Sequence, residues 1–235
     1  MIVAVIPARG GSRRIKNKNI KRFAGKPIIC WSIEVALRSG LFDRVIVSTD
    51  NSQVAQVALD HGADVPFKRP NYLADNYTGT NAVVKHAIEW LGEEGEIVEI
   101  ACCIYSTAPF LQERYLAEGL AKLRTTGKAF TFSATNYEFP VQRSFTINQG
   151  GGVAPLFPES IDCRSQDLEE VLHDAGQFYW GVAQAFVEER GLFSGTSTPI
   201  ILPRYLVQDI DTEEDWIYAE AMFKQLVDLG EITIV

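Results

Sequence analysis

The opening of the chain constrains its fold more than any other stretch: an apolar, mostly β-branched run, Ile2–Ile6, breaks at Pro7 into a glycine turn, Gly10-Gly11, crowded with cations. Such a run has the composition of a buried strand. Gly10 and Gly11 put no Cβ in the way, so backbone N–H groups and the Ser12 hydroxyl can approach phosphate oxygens while Arg9, Arg13 and Lys18 supply charge-assisted bonds. Eight of the 22 basic residues precede the first acid, Glu34, which leaves 14 against 30 acids in the remainder of a chain of net charge −8. A one-signed block beside a glycine turn suits a small polyphosphate, with a plain basic surface loop as the bland alternative. The acidic balance elsewhere argues against a nucleic-acid partner, which needs an extended basic surface.

Through the first half, apolar β-branched runs alternate with helix-length amphipathic stretches, the pattern of βαβ units around a parallel sheet. Strands are expected at Ile2–Ile6, Arg44–Thr49, Val65–Lys68, Ile97–Ile104 and Ala129–Ala134. Helices are expected from Pro27 to Ser39, from an Asp50 or Asn51 cap to Gly62, and from a Thr80 cap to Gly92. The fold class is α/β, a Rossmann-like, doubly wound, mostly parallel sheet whose ligands bind beyond the carboxyl ends of the strands. From residue 137 to 174 Pro140, Gly150-Gly151-Gly152, Pro155 and Pro158 punctuate short alternating pieces, which read as an inserted hairpin within one 235-residue domain. No stretch approaches the ~18 apolar residues of a membrane span, so the expected location is cytoplasmic, with no membrane partner. Cys30, Cys102, Cys103 and Cys163 form no C-x-x-C pair, and neither disulfide nor zinc is expected. His61, His86 and His173 lack any triad or ligand spacing and read as structural or exposed; Trp31, Trp90 and Trp216 read as core.

Two further segments carry polar chemistry. Arg69-Pro70 through Thr78-Gly79-Thr80 has the residues of a base-and-ribose pocket, although turn chemistry alone accounts for them equally. Asp209 and Asp211 fall on one face if the segment around them is extended, as two hard carboxylates opposite a triphosphate loop would for Mg²⁺. Asp211 followed by Glu214 is also capping-box spacing, so the same acids can simply start the last helix. The basic loop has neither P-loop nor dinucleotide-fingerprint spacing, which counts against ATPase and dehydrogenase readings.

Taken together, the Ala8–Asn19 loop and the Asp209-Ile-Asp211-Thr212 segment resemble the cytidylyltransferases that activate acidic sugars with CTP, the family of nonulosonate and octulosonate synthetases, over nearly the whole chain. The resemblance implies that Ala8, Arg9, Gly10, Gly11, Ser12, Arg13, Lys18 and Asn19 form the triphosphate and cytidine loop. It implies that Arg69, Thr78 and Thr80 serve the cytosine and ribose, and that Asp209 and Asp211 hold Mg²⁺. Tyr105, Ser106 and Thr107 occupy the segment that meets both nucleotide and sugar, with Tyr105 where neuraminate synthetases carry Gln. The tract Gln177–Gly181 resembles the pseudaminate branch, with Gln177 and Tyr179 expected to face the sugar and Phe178 and Trp180 the core. Gln166 belongs to a polar turn of the same region, and Arg143 and Arg164 are the guanidinium candidates for the sugar carboxylate. By the same resemblance, 137–174 is a dimer contact covering the partner's sugar, which predicts a homodimer.

The expected reaction is attack of the sugar's anomeric hydroxyl on the α-phosphorus of CTP, with Arg9, Lys18, Asp209 and Asp211 as catalytic residues and pyrophosphate as leaving group. No general base stands out. The expected substrate is an acidic nine-carbon sugar of pseudaminate type; neuraminate, legionaminate and octulosonate are the alternatives. A catalytically silent nucleotide-binding regulator is the rival of another class, and retention of both Asp209 and Asp211 counts against it.

Overall fold

The computed structural model describes residues 1–75 and 77–233. Ile2–Pro7 forms β1, whose Val3, Ala4, Val5 and Ile6 are fully buried, as an apolar run without alternation requires of a strand covered on both faces. The basic loop then closes on a short ribbon, Arg22–Phe23 (β2) against Lys26–Pro27 (β3), and enters helix Ile28–Arg38 (α1). Arg44–Ser48 (β4) and Ile100–Ile104 (β5) flank β1 in parallel. After Phe130–Asn136 (β6) the chain leaves the sheet for a separate hairpin, Phe145–Ile147 (β7) with Val153–Pro155 (β8). It returns as Leu172–Val182 (β9), antiparallel between β5 and β6, and ends the sheet with Ser197–Ile201 (β10), parallel to β6. The order is β10-β6-β9-β5-β1-β4, so five strands share one direction and strand order reverses beside β1. That reversal marks a ligand-binding crevice at the strands' carboxyl ends.

Helices Ser52–Asp60 (α2), Thr80–Glu93 (α3), Glu113–Thr126 (α4), Ala183–Val187 (α5) and Glu213–Asp228 (α6) complete the fold. Packing of α1, α2 and α4 covers one face of the sheet, where Phe178 and Trp180 are buried. On the other face, α3 and α5 enclose Tyr179. A third cluster joins α6 to the basic loop: Trp216 and Phe223 pack with Ile15, Phe23, Trp31 and Phe110. Trp31 and Trp216 are therefore core, while Trp90 is half-buried against Phe67.

Several expected boundaries move for identifiable reasons. Residues 65–68 form no strand; only the bridges Ile46–Asp64 and Thr49–Lys68 align the segment with β4, because Pro66 has no N–H for a ladder. β5 starts at Ile100, not Ile97, since pairing with β1 begins at Ile2–Ile100 and Ile97 is exposed. β6 continues to Asn136 because Thr135 and Asn136 still pair with His173 and Leu172. Asn51 caps α2, its Oδ1 accepting from the N–H groups of Gln53 and Val54. Thr80 does not cap α3; Gly79 is the cap and Thr80 is the first helical residue.

Candidate active site

Loops after β1, β4, β5, β6 and β10 converge on one edge of the sheet. The basic loop is held there as a shelf. Ala8 continues the ladder, donating its N–H to Ser48 O (2.9 Å), and Gly10 N donates to Asp50 Oδ1 (2.8 Å). A Cβ on Gly10 would lie 2.7 Å from Asn51 Nδ2, so glycine there permits close approach to the α2 cap. Gly11 is exposed at the rim, as is Arg13, and Ser12 is half-buried. Asn19 is buried with its amide engaged at both ends, donating to Arg9 O (2.9 Å) and accepting from Ser106 Oγ (2.8 Å). Asn19, the residue expected to reach the cytidine, is here a buckle that ties the β1 loop to the β5 loop.

The two carboxylates meet this shelf from the other side. Ile210 is 2% exposed and anchors in the third cluster, which turns Asp209 and Asp211 on either side of it away from the core. Asp211 Oδ2 lies 2.7 Å from Arg14 Nη1, and its Oδ1 lies 3.4 Å from Lys18 Nζ. Partial burial, then the neighbouring Asp211 charge, raises the Asp209 carboxyl above the usual carboxylate range. Asp211 is not the helix cap. Thr212 and Asp215 form the capping box of α6, leaving Asp211 to the site. Among the described residues no three His, Cys, Asp or Glu gather into a protein cage for a metal. Two hard carboxylates beside cations fit Mg²⁺ all the same, because that ion keeps waters and completes its shell with phosphate oxygens.

The 69–80 loop is more structural than expected. Arg69 is 3% exposed and donates from Nη2 to Ser48 O and from Nε to Ser48 Oγ (3.1 Å); burial lowers its pKa to about 10. It braces the end of β4, so its expected contact with a pyrimidine edge falls to whatever donors remain. Asp75 Oδ1 accepts from the N–H groups of Tyr77 and Thr78, and Thr78 Oγ1 donates to Tyr72 O. This Asx turn leaves the Thr78 oxygen's lone pairs for a ligand.

At the ends of β5 and β9, Ser106 is buried on Asn19, Thr107 is half-buried, and Tyr105 is half-buried against the sheet's core. Gln177 and Tyr179 do not face a sugar directly, contrary to expectation: they are 3% and 2% exposed. Gln177 Nε2 donates to Leu206 O, which locks β9 to the segment leading to Asp209. Tyr179 Oη donates to Asp174 Oδ2 (2.6 Å). Arg143 and Arg164, the guanidinium candidates for the sugar carboxylate, lie on the excursion with partners inside it. Both are exposed on the 137–174 excursion, Arg143 donating to Cys163 O (2.8 Å) and Arg164 paired with Asp167 (2.7 Å), and Gln166 is exposed beside them.

Sequence reading missed Arg14 and Arg204. Arg14 was one cation among eight, and nothing in its spacing singled it out. Arg204 lies with His173, Thr135, Tyr205, Gln208 and Tyr218 around a cleft of about 540 Å³ that adjoins Asp209 through Gln208. His173 belongs to this wall, its ring tilted against Tyr137 with centroids 4.8 Å apart.

A family model described as cytidylyltransferase matches residues 3–214. The pseudaminic acid cytidylyltransferase of Campylobacter jejuni serotype O:2 is 44% identical over 222 residues, which cover 94% of this chain and 96% of that protein. The CMP-N,N'-diacetyllegionaminic acid synthase of Legionella pneumophila is 30% identical over 240 residues, covering 100% of this chain and 99% of the relative. Among solved structures, CMP:2-keto-3-deoxy-manno-octonic acid synthetase complexed with CTP superimposes with a TM-score of 0.68 at 19% identity, covering 95% of this chain and 98% of that one. At that identity the likeness is one of fold.

Proposed function

The chain belongs to the cytidylyltransferase family, and we propose that it joins CTP to pseudaminic acid, giving CMP-pseudaminic acid and pyrophosphate. The observation that carries this reading is the junction of Arg14 and Lys18 with Asp211, where a polyphosphate shelf and a carboxylate pair face each other at the crevice. The choice of sugar rests on the 44% identity over nearly the full length of both chains.

In the reaction the anomeric oxygen of the sugar forms a bond to the α-phosphorus, its proton leaves to solvent, and the bond from that phosphorus to the β-phosphate oxygen breaks. Arg9, Arg13 and Lys18 hold the β- and γ-phosphates and stabilise the charge that accumulates on the leaving pyrophosphate. Arg14, whose side chain is 67% exposed, exchanges its ion pair with Asp211 for a phosphate when the triphosphate binds. Asp209 and Asp211 would hold Mg²⁺, which when bound would neutralise phosphate charge and make the attacking hydroxyl more acidic. The buckle from Asn19 to Ser106 keeps the phosphate shelf in register with the β5 loop, so much of the rate comes from position. The cleft beside Asp209 receives the sugar, with the Arg204 guanidinium as its cation and His173 on the same wall.

The assembly is a homodimer in the cytoplasm. Its contact is the excursion, which exposes Phe139, Phe145, Ile147, Val153 and Leu156. No helix among the described residues is long and apolar enough to cross a membrane. The test is pyrophosphate release with CTP, Mg²⁺ and a panel of pseudaminic, N-acetylneuraminic, legionaminic and 3-deoxy-octulosonic acids, with UTP and ATP as controls. Selective turnover of pseudaminic acid with CTP is expected. Turnover of another acid would correct the sugar, and CTP binding without any turnover would favour the silent regulator. Light scattering on Phe145→Asp checks the dimer, which this charge should dissociate.

A further inference from the structure

Arg204 is fixed at its backbone and free at its head. Leu202 N donates to Ala134 O (2.7 Å) and Leu202 O accepts the Thr135 hydroxyl (2.8 Å), so the chain leaves β10 clamped to β6. Pro203 then opens the 3-10 turn Arg204–Leu206, and fully buried Leu206 closes it, donating its N–H to Pro203 O (2.9 Å) and accepting from Gln177 Nε2 at its carbonyl. Between these two pegs the exposed Arg204 side chain lines the 540 Å³ cleft. Its guanidinium holds Glu138 O through Nη1 at 3.3 Å, and among the described residues no carboxylate pairs with it. Nε and Nη2 remain as a fork, the geometry that takes a carboxylate at two points.

Arg204 is the cation of that lining and Glu138 its acid. Four residues on, Gln208 lines both this cleft and the adjoining hollow that Asp209 lines. Its half-buried side-chain amide makes no hydrogen bond among the described residues, and it offers one acceptor oxygen and two N–H donors. In the ring form of a 2-keto sugar acid, one carbon bears both the carboxylate and the anomeric hydroxyl. A carboxylate seated on Arg204 therefore carries the attacking oxygen with it, and Gln208 is the side chain shared between that seat and Asp209.

We infer that Arg204 binds the carboxylate of the acid and that Gln208 holds its anomeric hydroxyl toward Asp209, so that the cleft reads two groups on one carbon as a unit. A sugar without the acid, or with the acid on another carbon, leaves one of the two side chains unmatched and is rejected on that account. The inference rests on the cytidylyltransferase reading for the reaction and names how that site takes its second substrate.

Isothermal titration into CTP-saturated protein, with divalent metal chelated, measures acid binding without turnover. The probe is the acid that the unaltered enzyme turns over, or pseudaminic acid if it turns over none. Arg204→Gln should weaken binding about thirtyfold, the scale of a charge-assisted hydrogen-bonded pair, and Arg204→Lys by less, because an ammonium is no fork. The affinity for CTP should be unmoved in both. The carboxamide of the same acid separates ligation from a structural role: the unaltered protein should prefer the acid, and Arg204→Gln should not discriminate. Equal preference in the two proteins, or no acid binding by the unaltered protein, would overturn the assignment of Arg204. In steady-state kinetics Gln208→Leu should lower kcat about tenfold, the effect of one lost hydrogen bond, with the KM for CTP unmoved; an unchanged kcat would remove Gln208. Absence of turnover with every acid, together with acid binding that Arg204→Gln abolishes, would count against the reading of function and uphold the anchor.

Discussion

Asp211 Oδ2 lies 2.7 Å from Arg14 Nη1, joining the first loop of the sheet to the last. With the α6 cap assigned to Thr212, that carboxylate has no role in starting the helix. Asp211→Asn should therefore lower pyrophosphate release by at least about a hundredfold, the usual scale for removing a charge that acts in the transition state. Its melting temperature should stay close to that of the unaltered protein. An active Asp211→Asn enzyme would remove Asp211 from the metal-binding pair.

The reverse separation is expected one residue further on. Thr212 Oγ1 accepts from Asp215 N, and Asp215 Oδ2 accepts from the N–H groups of Thr212 and Asp211. Thr212→Ala should cost about 1 kcal/mol of stability, as loss of an N-cap does. The Asp215 carboxyl is held below the usual carboxylate range, first by the Thr212 hydroxyl and then by those backbone donors. A depressed folded pKa contributes stability that is complete above the unfolded pKa, near 4, and is lost as the pH falls below it. Denaturant titrations should accordingly show a shallower acid limb for Asp215→Asn than for the parent, and identical limbs would refute the assignment.

Legibility in the sequence followed local physics. Ile2–Ile6 announced a buried strand through composition, and the strand appears where expected; the basic loop announced a polyanion through charge, and the fold brings its Arg14 and Lys18 to Asp211. What failed depended on partners far along the chain. Whether residues 65–68 form a strand turned on Pro66 at the ladder position beside β4. Tyr179 alternates correctly with Phe178 and Trp180, yet its face is covered by α3 and α5 because β9 is sandwiched within the sheet. Arg143 and Arg164 are good carboxylate ligands by chemistry, and the fold places both on the excursion, Arg143 on Cys163 O and Arg164 on Asp167. The cleft beneath Arg204 and His173 joins residues from β6, β9 and the β10 loop, a juxtaposition no single motif contains.

Gly10 provides a test of the shelf itself. Its missing Cβ is what allows Asn51 to cap α2 against the loop, the new atom falling 2.7 Å from Asn51 Nδ2 and 2.8 Å from Asn51 Cβ. Gly10→Ala should push the loop outward and raise the KM for CTP several-fold. Asn51→Gly removes the obstructing side chain and, as an N-cap, glycine is only a few tenths of a kcal/mol worse. The double variant Gly10→Ala/Asn51→Gly should regain most of the CTP affinity. Additive losses in steady-state kinetics would show that Gly10 matters for another reason.

His86 supplies a pH signature away from the crevice. It packs edge-on to Phe67 at 4.7 Å, with Nδ1 buried and without a hydrogen-bond partner among the described residues. Burial lowers its pKa from 6.5, and Arg69 pushes the same way; Glu89 and Glu93 oppose them without reversing the shift. A histidine whose folded pKa is depressed takes up its proton more readily unfolded, so stability is full above about pH 7 and declines as the pH falls through the unfolded value. His86→Leu keeps the contact with Phe67 and has nothing to titrate. Urea denaturation at pH 7.5 and pH 5.5 should show the parent losing more stability than His86→Leu over that interval. Parallel losses would mean that His86 is hydrated and ordinary in the folded protein, and that the acid sensitivity of the fold lies in its carboxylates.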